Sequence, residues 1–254
     1  LDYYNIRVKE WNGESWSAID SSGDSRLINY NPYANGNTPF LISYDSKLIC
    51  IWSEKEDSSS DQVRVKQWSG TGTNWNFIDD SNDYTGLNYD TTRSGKFPHA
   101  VVFNSKLYVT WQELNQIRVK EWDGTHWSFV DGNQTTGLNF NTNMSAYRPR
   151  LVVYNSKLYA SWYETAELMS GPGPLPVSSN PSTPEASYQV LDQQMEPTYR
   201  DQIRVKEWDG ANWRFVDGNE TTGINKDYNY NANNPFLVEY DSELYNVWQE
   251  DNSS

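Results

Sequence analysis

Cysteine occurs once in the 254 residues. Cys50 lies inside an apolar run, so it reads as a small buried hydrophobe, and no disulfide framework within one chain is available. Histidine is nearly absent as well. His99 and His126 occupy non-equivalent places and neither falls in a Ser/His/Asp or metal-ligand spacing. Basic residues are few: 20 Lys and Arg against 34 Asp and Glu leave a net charge of -14. That balance argues against a general nucleic-acid binder, which needs a basic field to displace counterions. No apolar run approaches the ~18 residues of a membrane span, so membrane insertion is not expected. No signal peptide is visible, and a start at Leu1 reads as a processed form or an excised piece.

What the chain has instead is repetition. Ile6 to Trp11 reads Ile-Arg-Val-Lys-Glu-Trp; the phrase returns at Ile117 to Trp122 and Ile203 to Trp208, and with two changes at Val63 to Trp68. Each copy is followed by a second Trp (Trp16, Trp75, Trp127, Trp213), an Asp (Asp20, Asp79, Asp131, Asp217) and an Asn (Asn29, Asn88, Asn139, Asn225). A Pro then opens an apolar run, and the frame closes on Trp-x-Glu at Glu54, Glu113, Glu164 and Glu250. Three Trp in each of four frames account for all 12. Hydrophobic content is only 36% while aromatic content is 15%, so the core is expected to rest on Trp and Tyr, which suits sheets.

Each frame holds four short alternating segments separated by turn signals, and no window shows a helical period. Four-stranded units of about 50 residues match a propeller blade. The chain begins with the last two strands of one blade and ends with the first two of another. The expected fold is therefore all-β: a β-propeller of four four-stranded blades, closed by pairing N-terminal and C-terminal strands. The alternative is part of a larger propeller completed by another chain or by missing repeats. One domain is expected over 1–254, with a Pro-rich insertion at 165–202 that holds six prolines. Tyr188, Val190 and Leu191 lie where that insertion has a short strand-like stretch, and are the candidate partner-binding residues for self-assembly.

The long links between frames vary, and variable loops on a fixed scaffold are where binding concentrates. Asn29 and Tyr30, Asn88 and Tyr89, Asn139 and Phe140, with Asn225, are the candidate ligand-binding set, the aromatics offering faces for sugar rings. The repeated Arg and the Glu of Trp-x-Glu read as cross-strand charge pairs. No cofactor is expected; Asp131, Asn133, Asn139, Asp217, Asn219 and Asn225 leave calcium as a weaker alternative to turn-forming roles. With 34 acidic residues many carboxylate pairs arise by chance, so glycoside hydrolysis has no specific support.

Ile-Arg-Val-Lys-Glu-Trp-Asp-Gly, Phe-Val-Asp-Gly-Asn and Asn-Ser-Lys-Leu-Tyr-Ala-Ser-Trp resemble the tandem kelch- and lectin-like propeller repeats of secreted or cell-surface bacterial proteins. That resemblance implies the propeller and an extracellular or cell-surface setting. More loosely, the frame is similar to propeller lectins. The expectation is a non-enzymatic protein that binds glycans or cell-surface polysaccharide on its long-loop face. Its alternative is a structural subunit of a surface layer or extracellular filament, linked through 165–202.

Overall fold

In a computed structural model, the protein is described over residues 3–20, 28–55, 60–79, 85–132, 136–168, 198–218 and 222–252. Every regular element there is a strand. Three four-stranded antiparallel sheets form the body. The first holds β3 (Gly36–Tyr44), β4 (Lys47–Lys55), β5 (Asp61–Trp68) and β6 (Trp75–Phe77). In the second are β7 (Gly95–Phe103), β8 (Lys106–Glu113), β9 (Gln116–Trp122) and β10 (Trp127–Phe129). The third has β11 (Ala146–Tyr154), β12 (Lys157–Leu168), β13 (Thr198–Trp208) and β14 (Trp213–Phe215). Two two-stranded sheets flank them: β1 (Lys9–Trp11) with β2 (Trp16–Ala18), and β15 (Ala232–Tyr240) with β16 (Glu243–Glu250).

The strands are those of four propeller blades, three whole and one divided between the chain's two ends. β15 and β16 correspond to the inner pair of a blade, and β1 and β2 to the outer pair. Among the described residues the ladders join strands within each sheet only, and β16 has no ladder to β1.

Local chemistry explains the hairpins. Asp45-Ser46, Asn104-Ser105, Asn155-Ser156 and Asp241-Ser242 all have positive φ at both positions, between 46° and 61°. This is the type I′ geometry whose twist matches that of the flanking strands. Gly137 is required for a different reason: a Cβ there would lie 2.2 Å from the Ile117 carbonyl oxygen, where Leu138 N–H bonds the same oxygen.

Three repeated devices hold the sheets and their links together. Trp75, Trp127 and Trp213 donate their Nε1–H to the carbonyls of Ile19, Ile78 and Val130 on the preceding sheet, at 2.9, 2.6 and 2.7 Å. Arg64, Arg118 and Arg204 are buried against Asp79, Asp131 and Asp217 at 2.9 to 3.0 Å. Each of Glu54, Glu113, Glu164 and Glu250 accepts from the Trp two residues earlier and from two backbone N–H groups of the preceding long link. Trp52, Trp111 and Trp162 are fully buried as a result.

The Pro-rich segment begins later than its composition suggests. β12 and β13 stay paired from Leu158↔Trp208 out to Leu168↔Thr198, so 165–168 and 198–202 are strand. Tyr188, Val190 and Leu191 lie outside the described residues. No helix among the described residues is long and apolar enough to cross a membrane.

Candidate functional site

Each inner strand starts with the same irregularity. Thr38, Phe97, Arg148 and Asn234 have φ of 48°, 54°, 50° and 54°, and each precedes a proline at which the register with the neighbouring strand shifts. A non-glycine residue in this conformation costs roughly 1 kcal/mol or more, and such strain clusters at functional sites. The backbone repeats faithfully here while the side chains diverge. The bulge carries Thr, Phe, Arg or Asn, and two residues on stand Phe40, His99, Arg150 and Phe236. These positions face one another around the ring centre, so this is where the repeat symmetry breaks.

Several of them line a cavity of about 400 Å³, formed by Thr38, Phe40, Phe97, His99, Arg150 and Phe236 with Pro39 and Pro98. His99 accepts a hydrogen bond at Nδ1 from Leu151 N–H at 3.2 Å, so its hydrogen sits on Nε2. Burial, helped by the charge of Arg150, pulls the His99 pKa down to about 4, which makes the ring a neutral donor near pH 7. Its face packs on Phe40 with centroids 4.6 Å apart. Arg150 donates to the Pro149 carbonyl at 3.1 Å; burial first, then the neighbouring Arg148, lowers its pKa. The Arg148 guanidinium lies 4.7 Å over the Phe97 ring. Among the described residues neither arginine forms an ion pair with a carboxylate. In a protein of net charge -14, Arg150 in the wall of the hollow and Arg148 over the Phe97 ring beside it, neither ion-paired among the described residues, give this place a local positive charge.

A second cavity of about 360 Å³ adjoins the first and shares Thr38 and Phe97. It adds Asn37, Ser53, Lys96 and Asp61, with Lys96 Nζ 3.6 Å from Asp61 Oδ2. Asp61 is the one carboxylate among the described residues lining either cavity.

The residues expected from the sequence lie elsewhere. The Oδ1 atoms of Asn29, Asn88, Asn139 and Asn225 accept from the N–H of Ile6, Val63, Ile117 and Ile203 at 2.8 to 2.9 Å. Their Nδ2 groups donate to nearby carbonyls, so these side chains organise backbone. Tyr30, Tyr89 and Phe140 each cover an arginine, with Arg64, Arg118 and Arg204 4.8, 5.0 and 4.6 Å from the ring centroids. Tyr89 and Phe140 remain about half exposed and border hollows of about 180 and 100 Å³ between sheets. The arginines expected to pair with Glu form ion pairs with the repeated Asp, and Asp131 and Asp217 are thereby engaged. No cluster of three or more metal-ligating side chains occurs among the described residues. Sequence reasoning missed Thr38, Phe97, Arg148, Arg150 and Asn234. Their signal was present: an aligned position before each conserved-in-frame proline where the four frames disagree. Burial pushes the Cys50 thiol up to about 12, in keeping with an inert core residue.

No family model and no curated protein matches the sequence. Among solved structures, the chain is similar to a Penicillium chrysogenum α-L-arabinanase complexed with arabinobiose, at 14% identity and a TM-score of 0.48, over 85% of this chain and 57% of that one. It is similar to the α-L-arabinofuranosidase Arb93A from Fusarium graminearum at 12% identity and a TM-score of 0.49, over 87% and 61%. A Bacteroides thetaiotaomicron endo-arabinase matches at 9% identity and a TM-score of 0.48, over 100% and 84%. The chain thus spans less than two thirds of the length of the first two. At these identities the likeness concerns fold. These neighbours are named as an α-L-arabinanase, an α-L-arabinofuranosidase and an endo-arabinase, and against them the expectation of a non-enzymatic lectin-like protein or a structural filament subunit is withdrawn.

Proposed function

We propose that the protein is a carbohydrate-processing enzyme whose glycan substrate enters the centre of the ring and carries an anionic group. The observation that supports this most is the pair Arg148 and Arg150, without carboxylate partners among the described residues, Arg150 lining the hollow and Arg148 lying over Phe97 of its wall, at the place where the repeats diverge. Phe40, Phe97 and Phe236 offer apolar faces to the C–H patches of a sugar ring. His99 Nε2–H and the guanidiniums hold a carboxylate or sulfate. Asp61, in the adjoining cavity, is the group positioned to transfer a proton to or from the scissile linkage. Tyr89 and Phe140 are proposed as outlying stacking positions for a longer chain. Polymeric glycans of this kind place the reaction outside the cell or at its surface.

The test is incubation with neutral arabinans and with uronate-bearing and sulfated polysaccharides, following new reducing ends and chain length. Shortening of the anionic polymers, lost in Asp61→Asn and weakened at substrate binding in Arg150→Ala, is the expected result. Intact polymers throughout would overturn the reading.

A further inference from the structure

Four of the long links are clamped by a Trp-x-Glu carboxylate, yet the junction between β16 and β1 is open. The contrast is quantitative. β4 is buried from Ile49 to Glu54, whereas the corresponding residues of β16 alternate between exposed and half-buried, with Tyr245 50% and Val247 64% exposed. The outer half shows the same. The Arg64 side chain is 0% exposed against 50% for Arg7, and Trp208 is 6% exposed against 50% for Trp11. Trp16, the counterpart of the latching Trp75, Trp127 and Trp213, is 63% exposed, and Val216, whose counterparts accept those latches, is 40% exposed.

The chain shows three times how such strands join. Trp52 pairs with Arg64, Trp111 with Arg118 and Trp162 with Arg204, each in an antiparallel ladder. Carried over by frame, that register sets Trp248 opposite Arg7, Val247 opposite Val8, Asn246 opposite Lys9 and Tyr245 opposite Glu10. Tyr159 Oη already donates to Glu207 at 2.6 Å in the equivalent place. One position departs. Lys106 and Lys157 bond Glu121 and Glu207 at 2.7 and 2.8 Å, but β16 has Glu243 there, set against Glu10. This junction is therefore weaker than those of the second and third sheets by one ion pair and one like-charge contact.

The two halves are also anchored at opposite ends of the arc. Ile6, Val8 and Ile19 pack with Cys50 and Trp52 of the first whole sheet, while Leu237 packs with Tyr159 and Val205 of the third. We infer that the open edge of β16 receives the β1 edge of a second copy of this chain, completing a blade between molecules, with Trp16 of that copy latching onto the Val216 carbonyl. Such a contact is heterologous, each copy offering one edge of each kind, so copies join head to tail. The proposal does not depend on the reaction at the ring centre.

The experiment uses variants with one added cysteine each, Lys9→Cys and Asn246→Cys, the native Cys50 being buried, in the positions that Lys66 and Cys50 hold in the β4/β5 ladder. Mixing the two under mild oxidation should give a disulfide-linked species of twice the chain mass, which neither gives alone. Analytical ultracentrifugation of the unaltered protein should show concentration-dependent association, shifted at least tenfold to lower concentration by Glu243→Lys and to higher by Val247→Lys. A disulfide formed only within the double variant Lys9→Cys/Asn246→Cys, the chain staying monomeric, would overturn the proposal in favour of closure within one chain. Absence of any cross-link in a protein that sediments as a monomer, the edges then awaiting further repeats, would overturn it equally.

Discussion

Trp111 donates its indole N–H to Glu113 Oε2 at 2.9 Å, and the same carboxylate accepts the backbone N–H groups of Tyr89 and Asp90 at 2.9 and 2.7 Å. One buried side chain thus fixes its own strand and the loop that crosses above it. Glu113→Ala leaves three donors without a partner in a dry setting, so a loss of about 3 kcal/mol is expected. Glu113→Gln, which keeps two acceptor sites on one oxygen, should cost less. Urea unfolding of the three proteins checks the order.

Arg64 and Arg7 occupy the same place in the frame but not the same environment. Arg64 is fully buried on Asp79 between the Tyr30 and Phe77 rings, and its removal strands a buried carboxylate. Arg64→Ala should therefore cost about 3–5 kcal/mol. Arg7 is half exposed beside a buried Asp20, and because water can reach the space Arg7 leaves, Arg7→Ala should cost less than Arg64→Ala. Equal losses from the two variants would contradict the assignment.

The second residue of each type I′ turn is a serine held at positive φ, as at Ser156 with φ 56°. Glycine takes that conformation without strain. Ser156→Gly should raise stability by about 0.5–1 kcal/mol with the structure unchanged, measurable as a higher Tm.

His99 makes stability depend on pH. Its pKa falls to about 4 in the folded protein from about 6.5 in an unfolded chain. The depressed value means that the stabilisation is present above about 6.5 and is lost as pH falls towards 4, by on the order of 2 kcal/mol. His99→Gln should flatten the stability curve in that window, and calorimetry at pH 7, 5.5 and 4.5 tests it.

Much of the architecture was legible in the repeat. The Ile-Arg-Val-Lys-Glu-Trp phrases, the Asp-Ser and Asn-Ser turns and the Trp-x-Glu closures lie in strands and hairpins where spacing put them, because alternation and turn chemistry act over a few residues. The site was less legible. Asn29, Asn88, Asn139 and Asn225 looked like ligand positions, yet their amides bind main chain, since a polar side chain at a turn finds backbone groups before it finds a ligand. Arg150 sits in one strand while Phe40, His99 and Phe236 belong to three others, separated by about fifty residues or more in sequence, and only the curvature of the ring brings them to one hollow.

By itself, then, the sequence determined the strands, their number and the four-fold frame, because a period of two and a turn every ten or so residues are local properties. The tertiary structure decided what the repeated groups are for. Burial assigned each arginine to an aspartate rather than a glutamate and each asparagine to the backbone. Packing decided which strand edges are covered, joining three whole blades and leaving β16 and β1 apart. The central cavity belongs to the same category, since it depends on which side chains of different repeats converge, and that is not written in any single repeat.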